Sequence, residues 1–196
     1  QAGLCAVHEM IKLIGAVESL PMPVHPLVGT GQITLTDILS DPYPGHSVIP
    51  NRCRVTYDRR LVPGETPESV LASLKNLPGL EAVQYTAAIP ESEDQTGTGQ
   101  VLRGAKFFPA WALDENHPFV QSALRGLRAA GIEPRTGAYQ FCTNAAYSAG
   151  SARVPTVGFG PGRETDAHTV DERIALDDLA RAMQGYLGIL QAVLYR

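Results

Sequence analysis

Hydrophobic positions change period along the chain, and each change marks an element. Leu4, Val7, His8, Ile11, Ile14, Gly15 and Leu20 recur at helical spacing. Pro21, Pro23 and Pro26 end that helix, because proline lacks the amide proton a helix interior needs. "GQITLTDILS" and "SVIPNRCRVTYDRRLV" then read as strands on either side of the turn "DPYPGH". In the second strand Cys53, Val55 and Tyr57 fall on one face, and Arg54, Thr56, Asp58 and Arg60 on the other. "GETPESVLASLKNL" predicts a helix with Thr66 as its N-cap and Pro67 at its first position. "EAVQYTAAI" predicts a short strand. Residues 1–90 therefore run α-β-β-α-β, a ferredoxin-like split βαββαβ unit short of its first strand.

The next stretch, "ESEDQTGTGQVLRG", is polar and glycine-bearing and reads as a linker or excursion. "HPFVQSALRGLRAAG" predicts a helix that Gly131 stops. "PRTGAYQFCTNAAYSAG" predicts a strand, then a turn into a short helix. "VPTVGFG" is continuously apolar, as a strand covered on both faces would be. The last helix, from about Ala175 to Leu194, carries Leu179, Met183, Tyr186, Leu187 and Leu190 along one stripe. The second half is β/α in character, so the expected class is α/β: an α+β unit followed by part of a β/α domain.

Composition narrows the classes of function. With 196 residues and 44% hydrophobic content, the chain can form one large domain or two small ones. Its net charge of −4 comes from interspersed acids and bases, which is not the basic footprint of a nucleic-acid binder. No apolar run is long enough to span a bilayer, so no membrane partner is expected. Cys5, Cys53 and Cys142 lie far apart without a CxxC, against a disulfide framework or a structural zinc knot. A reduced, cytoplasmic setting is the corresponding expectation.

Candidate chemistry concentrates in "GFGPGRETDAHTVDE", residues 158–172. A glycine-rich loop between a strand and a helix is where open α/β sheets place ligands. There His168 beside Asp166, Asp171 and Glu172 is able to bind a divalent metal, with a carboxylate orienting its second nitrogen. A surface histidine in an acidic turn is the alternative. Thr143 and Asn144 are placed to hydrogen-bond a substrate or to cap the short helix that follows. Cys142 reads as a small core residue, having no histidine tied to it. Arg59 and Arg60 end a strand, suited to fork-like recognition of a carboxylate or to simple exposure. His8, His25, His46 and His117 show no metal-ligand spacing with one another.

Taken in order, "SVIPNRCRVTYDRRLVPGET", "TNAAYSAG", "VPTVGFGPG" and "AHTVDE" resemble the dimetal aminoacylase, acetylornithine deacetylase, succinyl-diaminopimelate desuccinylase and carboxypeptidase G family of hydrolases. The resemblance covers essentially the whole chain. It implies a phosphorylase/hydrolase-like α/β catalytic domain with two divalent metals, usually zinc, with cobalt or manganese as alternatives. A smaller lid that mediates homodimerisation interrupts that domain. Residues 1–105 would be most of the lid and 106–196 the C-terminal part of the catalytic domain, with the absent first strand upstream of Gln1. By the same resemblance, His168 is the last metal ligand and Arg60 receives the substrate's carboxylate. Thr143 and Asn144 edge the active site, and Gly160 and Gly162 line the substrate pocket.

There are departures. Ser47 stands where many members have a substrate-binding asparagine before "VIP". The family's His-x-Asp stretch, Glu-Glu pair, further acid and lid histidine have no counterpart in this sequence. The implied reaction is cleavage of an amide bond next to a free carboxylate, in an N-acyl amino acid or small peptide, by metal-activated water. This chain, holding at most one ligand, is expected to be inactive alone. The alternative is a non-catalytic dimerisation or regulatory module derived from that family.

Overall fold

Helix α1 (Ala6–Glu18) buries Leu13 and Val17, with Met10, Ala16 and Leu20 beside them, a spacing that lays one helical stripe on a surface. This is not the stripe expected from the sequence: Leu4 and Ile11 are exposed. The helix is apolar on two adjacent faces, and its neighbours select one. Those neighbours are strands β3 (Gln32–Asp41) and β4 (Arg52–Arg60), an antiparallel pair running from Gln32 opposite Arg60 to Asp41 opposite Arg52, with a register shift between Leu35 and Asp37. A smaller pair, β1 (Val24–His25) and β2 (Gly29–Thr30), precedes them, its turn held by His25 Nδ1 accepting from the Leu27 and Val28 amides.

The computed structural model describes residues 3–195. The chain divides into two compact units, Gln1–Ala110 and Trp111–Arg196. In the first, β4 alternates as expected, with Cys53, Val55, Tyr57 and Arg59 turned inward. Helix α2 (Pro67–Ser73) starts at a capping box: the Thr66 side chain accepts from the Ser69 amide, and Ser69 Oγ accepts from the Thr66 amide. Leu77 and Leu80 after α2 complete the core with Leu13 and Val17.

The strand expected at 81–89 does not form. Residues 82–86 alternate in burial, but residues 81–89 pair with no strand among the described residues. Val83 and Tyr85 still pack on the core, and Tyr85 Oη donates to the Leu74 carbonyl at 2.8 Å. The segment has the side-chain pattern of a strand without the ladder that would make it one. The stretch read as a linker or excursion is a hairpin excursion, β5 (Glu91–Gln95) against β6 (Val101–Ala105). Its Thr-Gly-Thr-Gly turn closes through the Thr96 amide to Gln100 and the Gly99 amide to Thr96. An Arg103–Glu93 contact of 2.7 Å bridges the strands.

The second unit rests on helices α3 (Pro118–Ala129) and α4 (Leu176–Leu194). His117 caps α3, its Nδ1 accepting from the Phe119 amide. Gly131, at φ 74°, ends it as expected. The Ile132 amide reaches back to Leu127 and the Gly131 amide to Arg128, the paired closure of a left-handed helix stop. On α4 the buried residues are Ala182, Gly185 and Gly188, whereas Leu179, Met183, Tyr186, Leu187 and Leu190 are about half exposed. The expected stripe is therefore not the packed one. Gly188 meets Gly126 of α3 so closely that a methyl on either would overlap the other's backbone carbonyl. Close backbone approach favours the small-residue face, because the larger side chains would hold the helices apart. The strands expected within 134–150 and at 154–160 are irregular, and residues 146–151 form one π-helical turn.

The Gly126 contact yields a stability prediction. Gly126→Ala forces a backbone shift and should cost about 1–3 kcal/mol in urea unfolding. Gly162→Ala, where a Cβ meets open space, should leave the midpoint nearly unchanged.

Candidate functional site

The loop that carries His168 is built outward from α4. Gly185 leaves room for the Phe159 ring, which meets the Tyr186 ring edge-on with centroids 5.3 Å apart. Tyr186 Oη donates to the Phe159 carbonyl at 2.6 Å, fixing the chain as it enters the glycine-rich stretch. Gly158 lies against the Tyr139 ring, where any side chain would collide. Tyr139 in turn stacks on Phe141 at 4.8 Å. Burial pushes the Tyr139 hydroxyl up, with Tyr186 and Glu164 nearby adding to the shift. The Gln140 amide donates to Glu164 Oε1 at 2.8 Å, so segments 139–141 and 158–166 are held together.

After a 3-10 turn (Glu164–Asp166), His168 takes φ 61°, a left-handed conformation that costs a non-glycine residue about 1–2 kcal/mol. Local bonds hold it. Its amide donates to Glu172 Oε2 at 3.0 Å, Thr169 Oγ1 donates to the Asp166 carbonyl, and the Glu172 amide donates to Thr169. The imidazole is left exposed. Glu172 thus engages the His168 backbone rather than the imidazole nitrogen that the sequence suggested. No group of three His, Cys, Asp or Glu that could hold a metal ion occurs among the described residues. One imidazole does not fit a catalytic zinc by itself, since such a site takes three protein ligands.

The other predicted residues divide between a local turn and open loop. Thr143 Oγ1 accepts from the Ala145 amide, and the Thr143 and Asn144 carbonyls accept from Ala146, Tyr147 and Ser148. These bonds fold the turn that leads into residues 146–151, whose N-cap position, Ala145, has no side-chain cap. Gly160 lies within van der Waals reach of Tyr186 Oη, while Gly162 faces open space, and neither has positive φ. The glycine whose lack of a side chain is required here is Gly158, which the sequence did not single out. Cys142, expected in the core, is exposed, because the strand that would have buried it is not formed.

In the first unit, strand alternation separates Arg59 from Arg60. Arg59 points inward, its guanidinium donating to Glu65 Oε1 at 2.6 Å and to Ser73 Oγ at 3.1 Å. Glu65 also accepts from the Val62 amide, closing the β4–α2 turn. Arg60 points outward, half exposed, with Asp58 at 3.6 Å. Of the two, Arg60 is free to meet a ligand and Arg59 is structural. Ser47 is exposed.

These features define a mixed α/β chain whose exposed arginine and exposed, backbone-strained histidine lie in separate units. The fold matches the crystal structure of an M20 family metallo-carboxypeptidase, Sso-CP2 from Sulfolobus solfataricus, with TM-score 0.56 and 17% identity, covering 97% of this chain and 46% of that one. The pattern of Peptidase family M20/M25/M40 matches residues 27–192, and the chain belongs to that family. The Escherichia coli (strain K12) protein YgeY is 27% identical over 187 residues, 94% of this chain and 46% of its own length. An N-formyl-4-amino-5-aminomethyl-2-methylpyrimidine deformylase from Halalkalibacterium halodurans is 25% identical over 187 residues, 91% of this chain and 44% of its own. The chain spans about half the length of these curated relatives. No helix among the described residues is long and apolar enough to cross a membrane.

Two substitutions separate the roles of the strand-end arginines. Glu65→Ala leaves Arg59 inward-facing without its carboxylate and should cost about 3 kcal/mol. Arg60→Ala should leave the urea midpoint essentially unmoved. At His168, glycine removes the left-handed strain, so His168→Gly should raise stability by about 1 kcal/mol.

Proposed function

We propose that this chain is the C-terminal part of a metal-dependent hydrolase that cleaves an amide bond beside a free carboxylate, in N-acyl amino acids or small peptides. The observation that carries the reading is the family match across residues 27–192, with His168 presented on a loop whose backbone is strained to present it. A conformation that lowers stability persists where surrounding bonds over-determine it, and such positions cluster at functional sites. The deformylase among the relatives, whose name describes release of a formyl group from an amide nitrogen, supports the amide class.

In this reading Arg60 holds the substrate's carboxylate through a forked pair of hydrogen bonds. Thr143, Asn144, Gly160 and Gly162 edge the pocket. His168 supplies one ligand to a divalent metal, zinc first, with cobalt or manganese as alternatives. Residues 1–105 act as lid and homodimer contact, and 106–196 as part of the catalytic domain. The remaining ligands and the general base would come from a further segment. The single imidazole favours a second reading as well, a non-catalytic dimerisation or regulatory module.

The test starts with the intact mass of the polypeptide as its own cell makes it. A mass well above 21.0 kDa is expected. The longer protein should then hydrolyse N-acyl amino acids in a chelator-sensitive way, while the 196-residue chain shows no turnover. In the longer protein His168→Ala should abolish activity and weaken metal binding. Arg60→Ala should raise KM roughly tenfold or more, the loss of a charged hydrogen bond to substrate. A natural product of 21.0 kDa, or unchanged turnover in the His168 variant, sinks the catalytic reading.

A further inference from the structure

Two thiols in the first unit lie where one element meets another. Cys5 is the N-cap of α1, and the next amide, Ala6, donates to the Pro50 carbonyl at 3.0 Å. Cys53 follows three residues after Pro50, at the start of β4, on the inward face of the sheet against which α1 packs. It stands opposite Ser40 in register. Both thiols are free and half-buried, whereas Cys142 is exposed in the other unit. Burial pushes the Cys53 thiol up, and the neighbouring Cys5 adds to the shift, as nearby thiols do.

We propose that Cys5 and Cys53 form a reversible intramolecular disulfide when the protein meets a small-molecule disulfide, clipping the start of helix α1 to the start of strand β4. The oxidant's own disulfide accepts the electrons. The Cys5 thiolate attacks one of its sulfurs, giving a mixed disulfide and releasing one thiol. The Cys53 thiolate then displaces the second, and the two protein protons leave with the two thiols formed. The clip closes residues 5–53 into a ring, so that the helix can no longer leave the sheet at this end. Under a reducing thiol pool the exchange runs backwards and frees it.

The experiment uses the 196-residue chain in its folded state. It is incubated with oxidised glutathione, alkylated with iodoacetamide, and read by intact mass and non-reducing peptide mapping. The expected product joins the Cys5 and Cys53 peptides with loss of two hydrogens, and its one added group, alkyl or glutathionyl, sits on Cys142. Cys5→Ser should abolish the internal link and leave Cys53 alkylated or glutathionylated. In urea the links should redistribute to include Cys142, showing that the fold selects the native pair. The proposal is overturned if folded protein carries separate glutathione adducts on Cys5 and Cys53, or links only between copies. Either result means the backbone holds the two Cα atoms beyond the roughly 7 Å that a disulfide spans.

Discussion

The backbone contact between Gly126 and Gly188 sets the geometry of the second unit. With no side chain at either position, α3 and α4 touch main chain to main chain, and that contact fixes the rotation of α4 about its own axis. Once Gly188 faces α3, Gly185 three residues earlier lies on nearly the same face, and the Phe159 ring fills the space it leaves. Tyr186, one position round, is then placed to donate to the Phe159 carbonyl. The loop to His168 starts from that anchored point. Exposure of Leu179, Met183, Leu187 and Leu190 follows from the same rotation.

In the first unit the corresponding constraint is the inward charge of Arg59. An inward guanidinium is costly unless it is paired, and Glu65 and Ser73 each accept from one of its terminal nitrogens at one end of β4. Glu65 also ties the Val62 amide, so the ion pair shapes the turn into α2 and leaves Arg60 pointing away. The outward arginine therefore owes its exposure to the buried one beside it. Among the described residues Arg59 Nε and Tyr57 Oη remain without hydrogen-bond partners, on the same inward face of β4. Residues 81–89, which pair with no strand among the described residues, belong to this unit too.

Where an element carries its own punctuation, the sequence was legible. Thr66 and Pro67 announce α2, Gly131 stops α3, and period-two alternation in "RCRVTYDRR" assigns each side chain of β4 to its face. The position of His168 in a loop after an apolar segment was also readable, as was its exposure. What failed were statements that depend on a neighbour. Residues 81–89 and "VPTVGFG" have the composition of strands, but a strand exists only through a ladder, and none forms there. "ESEDQTGTGQVLRG" reads as a linker or excursion because its residues are polar; its hairpin comes from pairing that polarity does not reveal.

The sequence by itself determined the order of the helices, the Thr66 cap and the Gly131 stop, the faces of β4 and the family to which the chain belongs. It did so because those signals are local, or are carried as residue identities in a fixed order. Tertiary structure alone decided which side of α1 and of α4 is buried. Both helices are apolar on more than one side, and hydrophobicity cannot rank two such sides against each other. The choice falls to what the neighbouring backbone permits. At α1 the sheet selects Leu13 and Val17; at α4 two glycines admit a contact that larger side chains would prevent.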